Sequence, residues 1–220
     1  MNMNRREFSA RVVGSGAGLG ALGLALAHPA RAQGAEPKEG TEFTRVNPPV
    51  APAAGTKIEV LEFFSYACPH CSAFEPTLEA WAKQLPADVV LKRVPVPFLM
   101  NAENFQRTYF ALETLGLVAT MQRKVFTAVH VDRLRLDKPA DIAALIAKNG
   151  GDEKKFLDAF NSFSVATSVG RAKKLMADYK IDGVPALGIH GRFITSPSMA
   201  GSSERALAVA EVLIQRARKG

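Results

Sequence analysis

The sequence predicts an α/β protein, a central mixed sheet flanked by helices with a helical domain inserted between its strands. Three observations predict it. Ile58 to Phe64 is a short, nearly continuous apolar run holding only Glu59 and Glu62, the pattern of a buried strand in a parallel or mixed sheet. From Asn101 to Tyr179 the apolar spacing turns helical through five successive segments. Two short strand-like runs and one amphipathic helix then close the chain. The 220 residues, 47% hydrophobic and 22% charged, suffice for a sizeable core and exclude disorder or a collagen-like repeat.

Taken in order, residues 1–32 read as a signal peptide. Arg5, Arg6 and Arg11 accompany a single acid, Glu7; Val12 to Ala27 is uncharged and rich in Gly, Ala and Leu; Ala30-Arg31-Ala32 is a small-x-small cleavage site. The apolar run is shorter than the roughly 20 residues a membrane-spanning helix needs, which leaves an uncleaved anchor as the plainer alternative. No cysteine follows it, so a lipid anchor is excluded. Arg5-Arg6 followed by Phe8 resembles a twin-arginine export signal, although Ser9 and Ala10 stand where a Leu-Lys pair would strengthen the match, so ordinary secretion stays open beside it. Either route leads to an oxidising compartment, expected to be the periplasm.

Residues 33–56, with Gly34, Pro37, Gly40, Pro48, Pro49, Pro52 and Gly55, read as an extended N-terminal segment before a domain covering 57–220. After the Ile58–Phe64 strand, Ala73 to Leu85 reads as a helix stopped by Pro86, and Asp88 to Val96 as a second strand ended by Pro95 and Pro97. The inserted helical domain, about residues 101–179, divides into Ala102–Leu115, Val118–Val131, Pro139–Lys148, Asp152–Phe160 and Val165–Tyr179. Gly183 to Ile189 and Gly191 to Thr195 read as strands about a turn at His190-Gly191. Ser203 is expected to cap a final helix through Ala217.

The charge of +7 hints at nucleic acid, but residues 1–32 supply +3 of it and leave +4. That remainder is interspersed with acids, with no Lys/Arg run longer than two and no interleaved aromatics, so no nucleic-acid partner is expected.

The only two cysteines, Cys68 and Cys71, are too close in sequence to close a stabilising loop, so their role is chemical. Cys68-Pro69-His70-Cys71 follows the strand and opens a helix, with Pro69 at a first-turn position that needs no N–H. Helix N-terminal N–H groups, the helix dipole and the imidazole of His70 all stabilise a thiolate on Cys68. Such a thiolate attacks readily, leaves readily and favours the reduced form, which makes the corresponding disulfide a strong oxidant. Cys71, one turn on, is placed to attack a mixed disulfide at Cys68. A zinc site would need further ligands, and only His70, His130 and His190 could add nitrogen near the pair, so no metal and no cofactor are expected.

Glu62 shares a strand face with Ile58, Val60 and Phe64. Burial there would raise its pKa and suit it to relay a proton during exchange. The competing reading is an edge carboxylate that reaches solvent or pairs with Lys92 or Arg93. Val184-Pro185, before the third strand-like run, reads as a trans strand-entry turn on base frequency, and spacing alone does not connect it to the cysteines.

Val60-Leu61-Glu62-Phe63-Phe64-Ser65, Cys68-Pro69-His70-Cys71, Phe74-Glu75-Pro76 and Gly183-Val184-Pro185-Ala186 together resemble the DsbA family of thiol:disulfide oxidoreductases over about residues 57–217. The resemblance implies a thioredoxin fold, with the helical block as the insertion that distinguishes this family. It implies that Cys68 is the exposed nucleophile, Cys71 the resolving partner, His70 the thiolate stabiliser and Glu62 the buried acid. Val184 and Pro185 would form a cis-proline loop against the disulfide, offering backbone to a substrate strand. Where the family carries a basic residue near the acid, this chain offers Arg93 or Lys92, and Pro95 replaces a more polar residue. The implied activity is donation of a disulfide to reduced, unfolded exported polypeptides by a monomer, with reoxidation by a membrane quinone-linked thiol oxidase. A disulfide isomerase or reductase, and a non-catalytic peptide-binding chaperone, are the rivals.

Overall fold

The computed structural model describes residues 36–53 and 55–219, so the signal peptide read over residues 1–32 lies outside the described residues. A five-stranded sheet runs in the order β1-β5-β4-β2-β3. Its strands are β1 (Phe43–Arg45), β2 (Ile58–Phe64), β3 (Val89–Pro95), β4 (Ala186–Ile189) and β5 (Phe193–Thr195). β2 pairs in parallel with β3 and antiparallel with β4, while β4–β5 and β5–β1 are antiparallel. The sheet is therefore mixed, as the sequence predicts.

All seven residues of β2 are buried because the strand is central and covered on both faces. Ile58 and Val60 point into a core with Phe43, Phe74, Leu78, Trp81, Leu187, Ile189 and Phe193, closed by Leu207, Val209 and Leu213 of α8 (Ser203–Arg218). Leu61 and Phe63 point into a second core with Tyr66, Phe105, Tyr109, Phe126 and Phe156. That second core is supplied by five helices between β3 and β4: α2 (Ala102–Thr114), α3 (Val118–His130), α4 (Pro139–Lys148), α5 (Glu153–Phe160) and α6 (Phe163–Asp178). No helix among the described residues is long and apolar enough to cross a membrane.

The helix after β2, α1 (Pro69–Ala82), begins four residues earlier than its apolar periodicity indicates. Pro69 fits its first turn, where no intrahelical N–H is required, and α1 continues through Pro76. The last helix is capped by Ser202 rather than Ser203: Ser202 Oγ accepts from the Arg205 N–H at 3.1 Å, and Ser203 is the first helical residue.

The segment read as an extended N-terminal arm over residues 33–56 contributes an edge strand. Phe43 is 0% exposed and packs edge-on against Phe193 at 5.9 Å between ring centroids. A three-residue strand is too short for its alternation to show against seven neighbouring prolines and glycines. Beyond it, Val50 N–H donates to the Gly191 carbonyl at 2.8 Å, and a Cβ at Gly191 would lie 1.6 Å from the Val50 carbonyl oxygen. With its φ at +70°, Gly191 is demanded by both the turn and this close approach.

Candidate functional site

Cys68 is the N-cap of α1. Its extended backbone (φ −90°, ψ 116°) turns the sulfur back over the helix, where Sγ accepts the Cys71 backbone N–H at 3.4 Å. Pro69 and His70 are exposed, and Cys71 is 0% exposed, sealed beneath the first turn. Cys68 retains only 5% of its surface. It is therefore largely covered rather than the exposed nucleophile implied by the resemblance, because the 183–185 loop lies over it. The Val184–Pro185 bond is cis, and the trans strand-entry reading is overturned. The Cys68 thiol donates to the Val184 carbonyl at 3.4 Å, joining two segments 116 residues apart.

The two sulfurs titrate in opposite directions. Hydrogen bonding from the Cys71 thiol, reinforced against burial by the backbone N–H groups of Cys71 and His70 and then by the His70 imidazole, lowers Cys68 to about 6. Burial, followed by the neighbouring Cys68, pushes the Cys71 thiol far up. The helix N-terminus thus acts as expected on Cys68. The imidazole is a smaller influence than the Cys71 thiol, whose contribution comes from the geometry of the helix turn.

Glu62 is 0% exposed, on the central strand and not at an edge. Register settles its partner. Glu62 lies opposite Arg93 across the β2–β3 ladder, and Arg93 Nε donates to Glu62 Oε2 at 2.8 Å. Lys92 points away, to Glu59, at 2.8 Å. Burial raises Glu62 above the ordinary carboxylate range, opposed by the Arg93 guanidinium. Its charge reaches Cys71, where it adds to the forces holding that thiol protonated.

Sequence reasoning missed Glu75, Gln122 and Tyr66 as members of the site. Glu75, one helical turn beyond Cys71 on α1, accepts from Arg93 Nη2 at 2.5 Å. Its pKa is also raised, by burial and then by Glu62. Gln122 and Tyr66 extend the network from the helical block and from the turn before α1. The signal for Glu75 was present as a carboxylate at i+4 from Cys71; nothing local marks Gln122. His130 and His190, weighed above as nitrogens for a metal, are engaged elsewhere. His130 Nε2 lies 2.8 Å from the Tyr66 carbonyl, and the Glu59 N–H donates to His190 Nδ1 at 3.3 Å.

A Cys-x-x-Cys pair opening the first helix after a central strand, with a cis-proline loop over its first sulfur, defines a thiol-active protein of the thioredoxin fold. The chain belongs to the DSBA-like thioredoxin domain family, whose model it matches over residues 59–205. The thiol:disulfide interchange protein DsbA of Bordetella parapertussis is 44% identical over 190 residues, 86% of this chain and 88% of that protein. Its counterpart of the same name in Pseudomonas aeruginosa is 36% identical over 181 residues, 81% of this chain and 85% of that one. Among solved structures, P. aeruginosa DsbA superimposes with a TM-score of 0.81 at 36% identity, covering 83% of this chain and 95% of its own. The oxidoreductase DsbA from Xylella fastidiosa gives 0.77 at 27% identity, over 84% of this chain and all of its own.

Proposed function

We propose that this protein is a dithiol oxidase that donates a Cys68–Cys71 disulfide to reduced, unfolded exported polypeptides. The observation that carries the reading is Cys68 as N-cap of α1, accepting the Cys71 N–H, with Cys71 buried one turn on and the cis Val184–Pro185 loop over the first sulfur; it agrees with a Cys68 pKa lowered to about 6 and a Cys71 pKa raised by burial. A substrate thiolate attacks Cys68 Sγ; the Cys68–Cys71 bond breaks and Cys71 departs with the electron pair. A buried thiol so reluctant to ionise must take up a proton, and Glu62, raised by burial, is the acid within electrostatic reach. A second substrate thiolate then attacks the substrate sulfur of the mixed disulfide. Cys68 leaves as a stabilised thiolate, and the substrate keeps the disulfide.

The cis Val184–Pro185 loop supports the substrate role given to Val184 and Pro185. A substrate strand could add its backbone there, beside a cavity of about 440 Å³ lined by Thr44, Ile181, Val184, Pro185, Ile194 and Met199. Family membership supports a periplasmic location, and a membrane quinone-linked thiol oxidase as reoxidant of a monomeric enzyme. A reductase must give up its electrons readily, and a thiol near 9, with no stabilised thiolate to favour the reduced form, would suit that better than one at about 6. Replacing Cys68 by Ser tests the reading against a non-catalytic chaperone: oxidation of a reduced, unfolded polypeptide should be lost. Survival of oxidation in the Cys68→Ser protein contradicts the enzymatic assignment, and suppression of aggregation as the sole activity of the wild type would favour the chaperone.

A further inference from the structure

Beneath the cysteine pair two buried carboxylates compete for one guanidinium. Arg93 donates through Nε to Glu62 and through Nη2 to Glu75, and the carboxylate side chains are 0% and 1% exposed. Two such acids facing one cation retain a shared proton, because a second uncompensated negative charge cannot be solvated there. Hydrogen bonding decides which acid keeps it. Glu75 accepts at both oxygens, from Arg93 at Oε1 and from Gln122 Nε2 at Oε2, 3.5 Å away. Glu62 accepts at Oε2 alone, and its buried Oε1 has no hydrogen-bond partner. Donors stabilise the ionised form, so the pattern makes Glu75 the readier of the two to ionise and Oε1 of Glu62 the seat that keeps the shared proton longest.

The direction of the Gln122 amide is what makes this so. Tyr66 Oη lies 2.5 Å from Gln122 Oε1; the phenol donates to that oxygen and turns the amide NH2 toward Glu75. Gln122 is 1% exposed on α3, where an apolar side chain would avoid the cost of burying an amide. We infer that Gln122 and Tyr66 are positioning residues that hold Glu75 as the ionised partner of Arg93 and so keep the shared proton on Glu62, ready for the departing Cys71 thiolate. The inference rests on the proposed exchange reaction for its purpose but not for its geometry. Other charged or titratable groups within reach of the pair are Glu79 and Cys71 from α1 and Tyr109 from α2, with Arg123 of α3 lying 3.9 Å from Glu79.

Carbon-13 carboxyl NMR of the glutamate-labelled, oxidised protein reads the proton directly. The signals are assigned by their disappearance in Glu62→Gln and Glu75→Gln. Across a pH series the Glu75 carbon should reach the ionised position at lower pH than the Glu62 carbon. In Gln122→Leu the Glu75 carbon should move toward the protonated position and the Glu62 carbon toward the ionised one. Tyr66→Phe, which keeps the ring and removes only the phenol, should move both in the same directions and guards against a Gln122→Leu protein that fails to fold. A Glu75 carbon that stays protonated to higher pH than the Glu62 carbon in the wild type, or carboxyl shifts unmoved in the folded variants, overturns the inference. Because the measurement needs no turnover, its failure is distinct from a failure of the oxidase reading, which only the Cys68→Ser assay decides.

Discussion

At Glu62 the strand face carried both readings, buried relay acid or paired edge carboxylate, and the outcome joins them: the residue is fully buried and also paired, with Arg93. An arginine in this place stays charged throughout the working range, so the titrating partner of Glu62 is the second carboxylate, Glu75. The sign of the pH effect follows. A carboxylate raised above its unfolded value of about 4.3 contributes its full stability below that value, and the contribution is lost as pH rises through the raised folded value. Glu62→Gln should therefore gain stability relative to the wild type as pH rises from acid toward neutral, followed by denaturant unfolding at a series of pH values. The same variant should slow protonation of the departing Cys71, by up to about 10²-fold, and change the pH profile of thiol exchange. An unchanged profile in a folded protein would reduce Glu62 to a structural residue. Cys68, Pro69, His70 and Cys71 were legible because strand, proline and helix are contiguous there. Glu75's partnership with Arg93 was not, since it joins α1 to β3 across 18 residues of chain.

Among the elements, β2 and the five inserted helices could be read from their own periodicity, because each presents a long apolar pattern to a core. Two features escaped for a common reason: their pattern lies in a partner. β1 is three residues long and becomes a strand only through β5, and the start of α1 at Pro69 is set by the Cys68 cap rather than by apolar spacing. The burial of Phe43 makes β1 part of the folded core. Phe43→Ala should cost about 3–5 kcal/mol by denaturant unfolding, as for other buried phenylalanines. A loss of only a few tenths would restore the picture of a peripheral arm. Val184–Pro185 stands between these cases. Its proline was conspicuous, but its meeting with Cys68 is a tertiary fact, made by β4 returning antiparallel beside β2.

For the whole molecule, the fold delivers three separate segments to one place: the α1 N-terminus, the 183–185 loop and the Glu62–Arg93 pair of β2 and β3. At the first of these, the α1 N-terminus, a thiolate is favoured at Cys68, and such a preference is a stability difference between redox forms. Because Cys68 is lowered in the folded state, the reduced protein draws stability from its thiolate at high pH and loses it as pH falls through about 6. Reduced protein should accordingly outlast oxidised protein against denaturant at neutral pH, with the gap narrowing as pH falls from about 8.5 toward about 6; a gap independent of pH would mean that the thiolate contributes nothing to it. The residues outside the acid and cysteine network contain no further cysteine, so exchange with clients cannot scramble the fold. The measurement closest to the central claim is an ultraviolet absorbance titration of the Cys68 thiolate in the reduced protein. A midpoint near 6 is the result predicted here, and a midpoint near the roughly 8.5 of a free cysteine would contradict the account of Cys68 as attacking and leaving group.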